Sequence, residues 1–475
     1  MDVRAMKRID MQSYASARGV PSKGFTLVEL MVALALGLLL SIGIVTLFGA
    51  TSKTNKVQDS LARLQENGRY AMTRMNADLR MLGAQYCNSK NSQGWTASAD
   101  GGPQYPGAGI YVNANGVSNI TTSKAFPDSG GTAGLAPPGH PAGTVYPLSP
   151  VTFLRGYECA ADGSCVPNVP SPAGPNGIPA AGTAAGARVP WGDVLTIRYQ
   201  RGTGWPYTSV GSGTTAVIAL HPTVVGGNQV DDPVNFVTGD RALITSCGGG
   251  TIFATTAAGT TLTPNSLLNP VAFQPGGATG SFDARVFNFD RDFITVTYYL
   301  QYKADPNPDQ AGRLIPVLMR KVNGSATPDE IVQGVERLDF TYGVQFRDGT
   351  FQYLTADQVD ARSDAPSPPP TLPVNCPPPP PQWDTSIYNN VEPNCLWRAV
   401  KSIQVNVLLD SVDNVYDLAL ADTTYRYTVD DPGYQTPPDS PTADMLYNGV
   451  SNGTKTGRMM RREFISMVAA RNSNY

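Results

Sequence analysis

GFTLVELMVALALGLLLSIGIVTLFGA, residues 24–50, carries a single ionisable side chain, Glu29. At about 1.5 Å rise per residue, a helix from Phe25 to Ala50 is about 39 Å long, enough to cross a bilayer core of about 30 Å. The run therefore reads as a transmembrane helix. A carboxylate near its start costs about 2.5–3.5 kcal/mol in lipid, so Glu29 needs a polar partner.

Outward from this stretch, the N-terminal flank carries Arg4, Lys7, Arg8, Arg18 and Lys23 against Asp2 and Asp10. That excess of positive charge keeps the N-terminus cytoplasmic and places everything after Ala50 outside. No small-residue cleavage site of the secretory kind follows the run. On its C-terminal side, Val57, Leu61, Leu64, Gly68, Ala71, Met75, Leu79 and Leu82 recur in steps of three and four. This is the stripe of an amphipathic helix. The other faces carry Lys56, Asp59, Arg63, Glu66, Arg69, Arg74 and Arg80. One long helix is expected, ending near Gly83 at a C-cap. Its stripe packs on its own domain or, alternatively, in a coiled coil.

The chain has 475 residues, more than one compact core usually holds. Charged residues make up 15 % and the net charge is −3, which argues against a general nucleic-acid binder. With 48 Gly and 40 Pro the remainder is loop-rich, yet below the level expected of a disordered chain. All six cysteines, Cys87, Cys159, Cys165, Cys247, Cys376 and Cys395, follow the apolar run, as expected of an exported domain with disulfides. Six cysteines allow 15 pairings. Two spacings stand out: Cys159 and Cys165 bracket a Gly-containing turn, and Cys376 and Cys395 bracket a Pro-rich excursion. No C-x-x-C pair occurs and His140 and His221 both precede proline, so no zinc site and no cofactor is expected.

Residues 84 to about 187 are mostly turn-forming, with short strands expected at 109–113 and 151–157. Runs rich in β-branched residues then follow at 194–201, 216–222, 241–247, 251–256, 285–290 and 293–303. Further runs lie at 314–322, 335–346, 400–410, 423–429 and 461–472, and the Pro-rich stretch 364–383 forms an excursion between two strands. The expected fold class is α+β: a long N-terminal helix, half transmembrane and half amphipathic, packed on an antiparallel β-sheet domain. Its expected segments are a leader (1–24), a transmembrane helix (25–50), its amphipathic continuation (51–83), a loop-rich β insertion (84–280) and a β domain (281–475).

Lys23-Gly24-Phe25-Thr26-Leu27-Val28-Glu29, with the acid fifth after the glycine, resembles the signal of type IV prepilins and pseudopilins. ENGRYAMTRMNADLRMLG (66–83), ITVTYYL (294–300), LMRKV (318–322), GVERLDFTYGV (334–344), WRAVKSIQVNVLL (397–409) and RREFISMVAARN (461–472) resemble the PilW family of type IV minor pilins. More distantly they resemble the J-type pseudopilins of type II secretion. The resemblance implies a pilin-like fold. It further implies a prepilin peptidase that cuts between Gly24 and Phe25 and N-methylates Phe25, and a Glu29 that pairs with the N-terminal amine of a neighbouring subunit. The implied partners are that peptidase, other minor pilins, the major pilin, the inner membrane and a tip adhesin. The implied role is to initiate or cap a type IV pilus, in twitching motility and adhesion. A type II secretion pseudopilin, or a pilus-tip adhesin or DNA-binding module, remains the alternative.

Chemical motifs are weak. GVSNGTKT (449–456) lacks the strand-loop-helix setting of a phosphate loop. Asp305, Asn307 and Asp309 imitate the opening of a calcium loop but Gly312 comes too late, and Asp410, Asp413 and Asp417 form a second candidate calcium group. Arg458, Arg461 and Arg462 read either as a patch for DNA or lipid headgroups or as protective charges on an edge strand. With two histidines and no G-x-S-x-G elbow, an enzyme is not expected.

Overall fold

The apolar run and the stripe behind it form one helix, α1 (Leu27–Leu79). The computed structural model describes residues 24–86, 110–112, 146–147, 150–160, 162–170, 177–210, 217–225, 228–231, 236–237, 240–246, 249–255, 259–263, 285–306, 313–346, 349–363, 394–413 and 459–471. The chain divides into two units, residues 1–58 and 59–475.

In the first unit, α1 exposes every large apolar side chain from Leu27 to Phe48. With no proline in the run, its backbone groups are satisfied within the helix, as lipid requires. Ser41, Thr46 and Thr54 donate their hydroxyls back to the carbonyls of Gly37, Gly43 and Ala50, so the two hydroxyls inside the apolar run, Ser41 and Thr46, are satisfied within the helix.

In the second unit, α1 buries Leu64, Gly68, Ala71, Met72, Met75, Asp78 and Leu79, largely the stripe read from the sequence. After Leu79 the chain tightens into a turn, with Met81 bonded to Asp78 and Leu82 to Leu79. Gly83 then adopts a left-handed conformation, φ 64°, that a side chain would resist, and donates its N–H to the Arg198 carbonyl.

Two antiparallel sheets pack beside this helix. The first joins β1 (Leu154–Cys159), β2 (Cys165–Val166), β3 (Val194–Gln200), β4 (Phe293–Ala304), β5 (Leu314–Val322) and β6 (Asp329–Gln333) in the order β6-β5-β4-β3-β1-β2. The second joins β7 (Val335–Gln345), β8 (Phe351–Leu354), β9 (Val400–Asp410) and β10 (Arg461–Ala469) in the order β8-β7-β9-β10. Strand alternation sorts the side chains of β4. Val296, Tyr298, Leu300 and Tyr302 enter the main core with Leu64, Met75 and Leu79 of α1. Tyr299 enters a separate cluster with Ile178, Ile315, Val317, Met319 and the Cys159/Cys165 hairpin. Covered on both faces, β3 has no exposed position, which is why its sequence VLTIRYQ is nearly continuous rather than alternating.

The pairing of β3 with β4 carries the sheet across residue 280. Residues 154–200 therefore share a sheet with strands that follow residue 281, although the sequence reading assigned the two segments to different parts of the chain. A third sheet contains Arg285–Asn288, Arg241–Ser246, Gly249–Ala254, Ile110–Val112 and Tyr146–Pro147. Its pairing of Ile110–Val112 with Gly249–Ala254 is parallel. A smaller core of Ile218, Leu220, Phe236, Ala242, Ile244, Phe253, Leu262 and Val286 accompanies this sheet.

Several boundaries differ from the sequence reading. The strand expected at 285–290 stops at Asn288, because Phe289–Asp292 turns into one helical turn. Asp292 accepts the Asn288 N–H there at 3.1 Å, taking a donor that the ladder would otherwise use. The strand expected at 461–472 ends at Ala469. The Pro-rich stretch 364–383 and the run 423–429 lie outside the described residues, as does GVSNGTKT.

Candidate assembly site

Phe25 stands 87 % exposed at the head of α1. Directly behind it, Thr26 and Glu29 form a reciprocal cap. The Thr26 hydroxyl oxygen accepts the Glu29 N–H at 3.2 Å, and the Glu29 carboxylate accepts the Thr26 N–H at 3.0 Å and its hydroxyl at 3.0 Å. This capping box satisfies two donors that a helix start leaves over. It also answers the demand raised by an acid in an apolar run: in the single chain, Glu29 is held by Thr26. The T-x-x-E spacing was readable in the sequence as a capping signal. Gly24, Phe25 and Glu29 thus lie together, all exposed, at the start of the helix.

At the other end of α1, Asp78 is buried among apolar residues yet fully engaged. Its carboxylate takes the Arg320 guanidinium in a fork, at 2.6 Å from Nε and 3.2 Å from Nη2, and the Tyr298 hydroxyl at 2.5 Å. Tyr199 Oη lies 3.5 Å away, and Arg320 also reaches Asp329 at 3.1 Å. One helix residue is thereby tied to β3, β4 and β5. Burial, with the Asp78 carboxylate beside it, pushes the Tyr298 hydroxyl well above its ordinary pKa, so it remains a donor. Asn76 exchanges hydrogen bonds with Ser466 of β10 at 2.9 and 3.1 Å. At Gly68 a Cβ would stand 2.2 Å from the Phe464 ring, so the absent side chain is what lets helix and strand meet.

Cys159 and Cys165 are bonded, closing the β1–β2 hairpin with Cα atoms 4.1 Å apart. Cys395 is disulfide-bonded to a cysteine outside the described residues. Cys87, Cys247 and Cys376 lie outside those residues. The candidate calcium groups are used otherwise: Asp305 pairs with Arg313, and Asp410 accepts the Val412 N–H at 2.7 Å. Burial and the adjacent Glu336 push the Asp410 carboxyl well above its usual range. Among the described residues no group of three or more His, Cys, Asp or Glu is placed to hold a metal ion. Asn307, Asp309 and Asp417 are outside them.

Sequence reasoning missed Asp78 and also Glu158 on β1. Burial, then the neighbouring carboxylates of Asp339 and Asp357, push the Glu158 carboxyl from 4.5 up to about 8. The folded chain therefore holds a proton there that the unfolded chain has released. That stabilising difference is complete below pH 4.5 and is lost as the pH rises to about 8. Urea unfolding of the chain in detergent should show a midpoint that falls between pH 5 and pH 8. Glu158→Gln should flatten the dependence and raise the midpoint at pH 8; an unchanged slope would mean that Glu158 ionises normally.

Comparison with known proteins accords with this arrangement. Residues 297–472 match the family described as Type IV Pilus-assembly protein W, and residues 21–45 match the prokaryotic N-terminal methylation motif. Over 70 residues the chain is 43 % identical to the pilin-like protein PilA3 of Thermus thermophilus, covering 14 % of this chain and 30 % of that one. The chain thus spans under a third of the length of that curated relative. No solved structure matches it. A methylation motif thus heads an exposed apolar helix, and the match to the pilus-assembly family runs from within β4 to the end of β10, under half of the chain.

Proposed function

We propose that the chain is a minor pilin that assembles with sibling minor pilins to initiate or cap a type IV pilus. In this reading a prepilin peptidase removes residues 1–24 and methylates the new N-terminal Phe25. The helix anchors the subunit in the inner membrane with the β domain in the periplasm, then becomes part of the filament core. The observation that carries the reading is the head of α1, where a methylation motif meets an acid that, among the described residues, is held by neutral hydrogen bonds from Thr26. A neighbour's N-terminal amine offers that carboxylate an opposite charge, which in lipid outweighs a neutral donor. Because a subunit at the extreme tip has no neighbour above to supply the amine, the acid also favours a place just below the tip.

N-terminal mass analysis of the wild-type protein should show methyl-Phe25 as the first residue. Glu29→Ala should be processed to the same end but recover fewer sibling pilins on crosslinking, with reduced piliation. An intact leader in wild type refutes the processing step, and normal piliation of the Ala variant refutes the pairing.

A further inference from the structure

Arg188, 1 % exposed, is a buried cation to which, among the described residues, no carboxylate is bonded. Its backbone is fixed against β4, where Val189 donates to the Leu300 carbonyl at 3.0 Å and Tyr302 to the Ala187 carbonyl at 2.9 Å. The guanidinium donates to the carbonyl of Gly163 at 2.9 Å and, more loosely, to those of Val189, Pro190 and Gly192 at 3.3, 3.4 and 3.5 Å. Its other partner is the Cys159 sulfur, 3.4 Å from Nη1. Burial pulls the Arg188 pKa down, and Asp193 opposes this only through space. The Asp193 carboxylate itself accepts the N–H groups of Cys159 and Phe340 at 3.0 and 3.1 Å. An arginine nevertheless stays charged in a protein, and a buried charge short of compensation is costly.

The sulfur that Arg188 touches belongs to a bond that can break. Cys159 and Cys165 close the β1–β2 hairpin, whose ladder is two residue pairs long, Glu158 opposite Val166 and Cys159 opposite Cys165. β2 is the edge of its sheet, and Ala160, Asp162 and Ser164 at the tip are exposed, as is Val166. So short an edge hairpin opens locally at small cost, which gives a thiol access to cysteines that are 8 % and 5 % exposed when it is closed. On their other sides stand Tyr157, Tyr299 and the apolar Ile178, Val194, Ile315 and Met319. Lys321 of β5 is bonded to the Gly177 carbonyl at 2.8 Å. The charges bonded to Cys159 are therefore Arg188 at the sulfur and Asp193 at the backbone N–H.

We propose that Cys159–Cys165 is an exchangeable disulfide: a dithiol attacks the Cys165 sulfur, and Arg188 receives the departing Cys159 sulfur as a thiolate. One thiolate of the dithiol bonds to Cys165 Sγ, the Cys159–Cys165 bond breaks, and its electron pair stays on Cys159 Sγ beside the guanidinium. The second thiol then attacks the mixed disulfide and gives its proton to Cys165, and the dithiol leaves as a disulfide, having passed two electrons to the pair. A thiol of lower pKa leaves faster, and a neighbouring guanidinium lowers that of Cys159, which selects Cys165 as the point of attack. The Cys159 thiolate in turn supplies the anion that Arg188 lacks. Arg188 Nη2 still holds the Gly163 carbonyl at the hairpin tip, so the separated sulfurs stay near enough for the bond to form again. Nothing in this exchange depends on the assembly reading above.

The test uses the full chain in detergent, dithiothreitol and glutathione as the thiols, and peptide mass mapping to resolve each cysteine. Dithiothreitol should open Cys159–Cys165 without unfolding the chain. Brief treatment with glutathione followed by alkylation should leave glutathione on Cys165 and the alkyl group on Cys159. In the reduced chain, alkylation of Cys159 by iodoacetamide should rise with pH about a midpoint at least about one unit below the ordinary thiol value of about 8.5. Arg188→Met should raise that midpoint and slow reduction by about tenfold, whereas Arg188→Lys, which keeps the cation, should preserve most of both. An arginine that merely propped the hairpin would act in the opposite sense, since its loss would loosen the hairpin and speed reduction. Glutathione on Cys159, an ordinary or higher Cys159 midpoint, faster reduction of the Met variant, or a bond that opens only on unfolding overturns the proposal. Should the Met variant fail to fold, the glutathione and alkylation measurements on the wild-type chain decide it.

Discussion

Asp78→Ala is expected to destabilise the β domain by about 3–5 kcal/mol, because it leaves the Arg320 guanidinium buried without its main counter-charge. Arg320 is 8 % exposed at its side chain, and its remaining acid, Asp329, is 59 % exposed and so a poor substitute. The same change removes the acceptor of the Tyr298 hydroxyl, adding a buried donor with no partner. Denaturant unfolding should show the loss, and limited proteolysis should cut α1 near residue 78 before it cuts β9. Asp78→Asn should lie between wild type and Ala, since the amide oxygen still accepts one bond. An Ala variant as stable as wild type would mean that the ion pair does not hold helix to sheet.

Gly24→Val is expected to abolish maturation while leaving the fold intact. Among the described residues, chain neighbours aside, no atom lies within 4 Å of where a Cβ at Gly24 would stand, so the described fold accommodates the branched side chain. The cost falls entirely on the peptidase, which must bring its catalytic groups to a backbone now shielded by two methyls. Intact-mass analysis should find the leader quantitatively retained, with unfolding by denaturant unchanged. Processing to Phe25 at the wild-type rate would make the glycine irrelevant to the cut.

Local patterning alone determined the helix and most long strands. Between Val57 and Leu82 the apolar residues recur at helical spacing, and seven positions of α1 in that interval are buried. VKSIQVNVLLD reads as a strand at 400–410 and is one, because β-branched residues on a pleated backbone need no distant partner to declare themselves. The T-x-x-E box at the head of α1 is similarly local. Short or polar strands were not legible: DEIVQ (329–333) buries only Val332, and its existence depends on the edge of β5 that it pairs with.

The tertiary structure alone decided which charges go inside. Asp78 looks like one more polar residue on a charged helix, and its burial is stable only because Arg320 arrives from 242 residues away. Arg461 looks like a surface guard until Glu336, 125 residues earlier in the chain, takes it into the interior. A buried charge needs its counter-charge at bonding distance, and chains bring such pairs together only when they fold. Sequence spacing carries the period of a helix or strand, because those arise from neighbours along the backbone; it carries no record of which acid meets which base across a core.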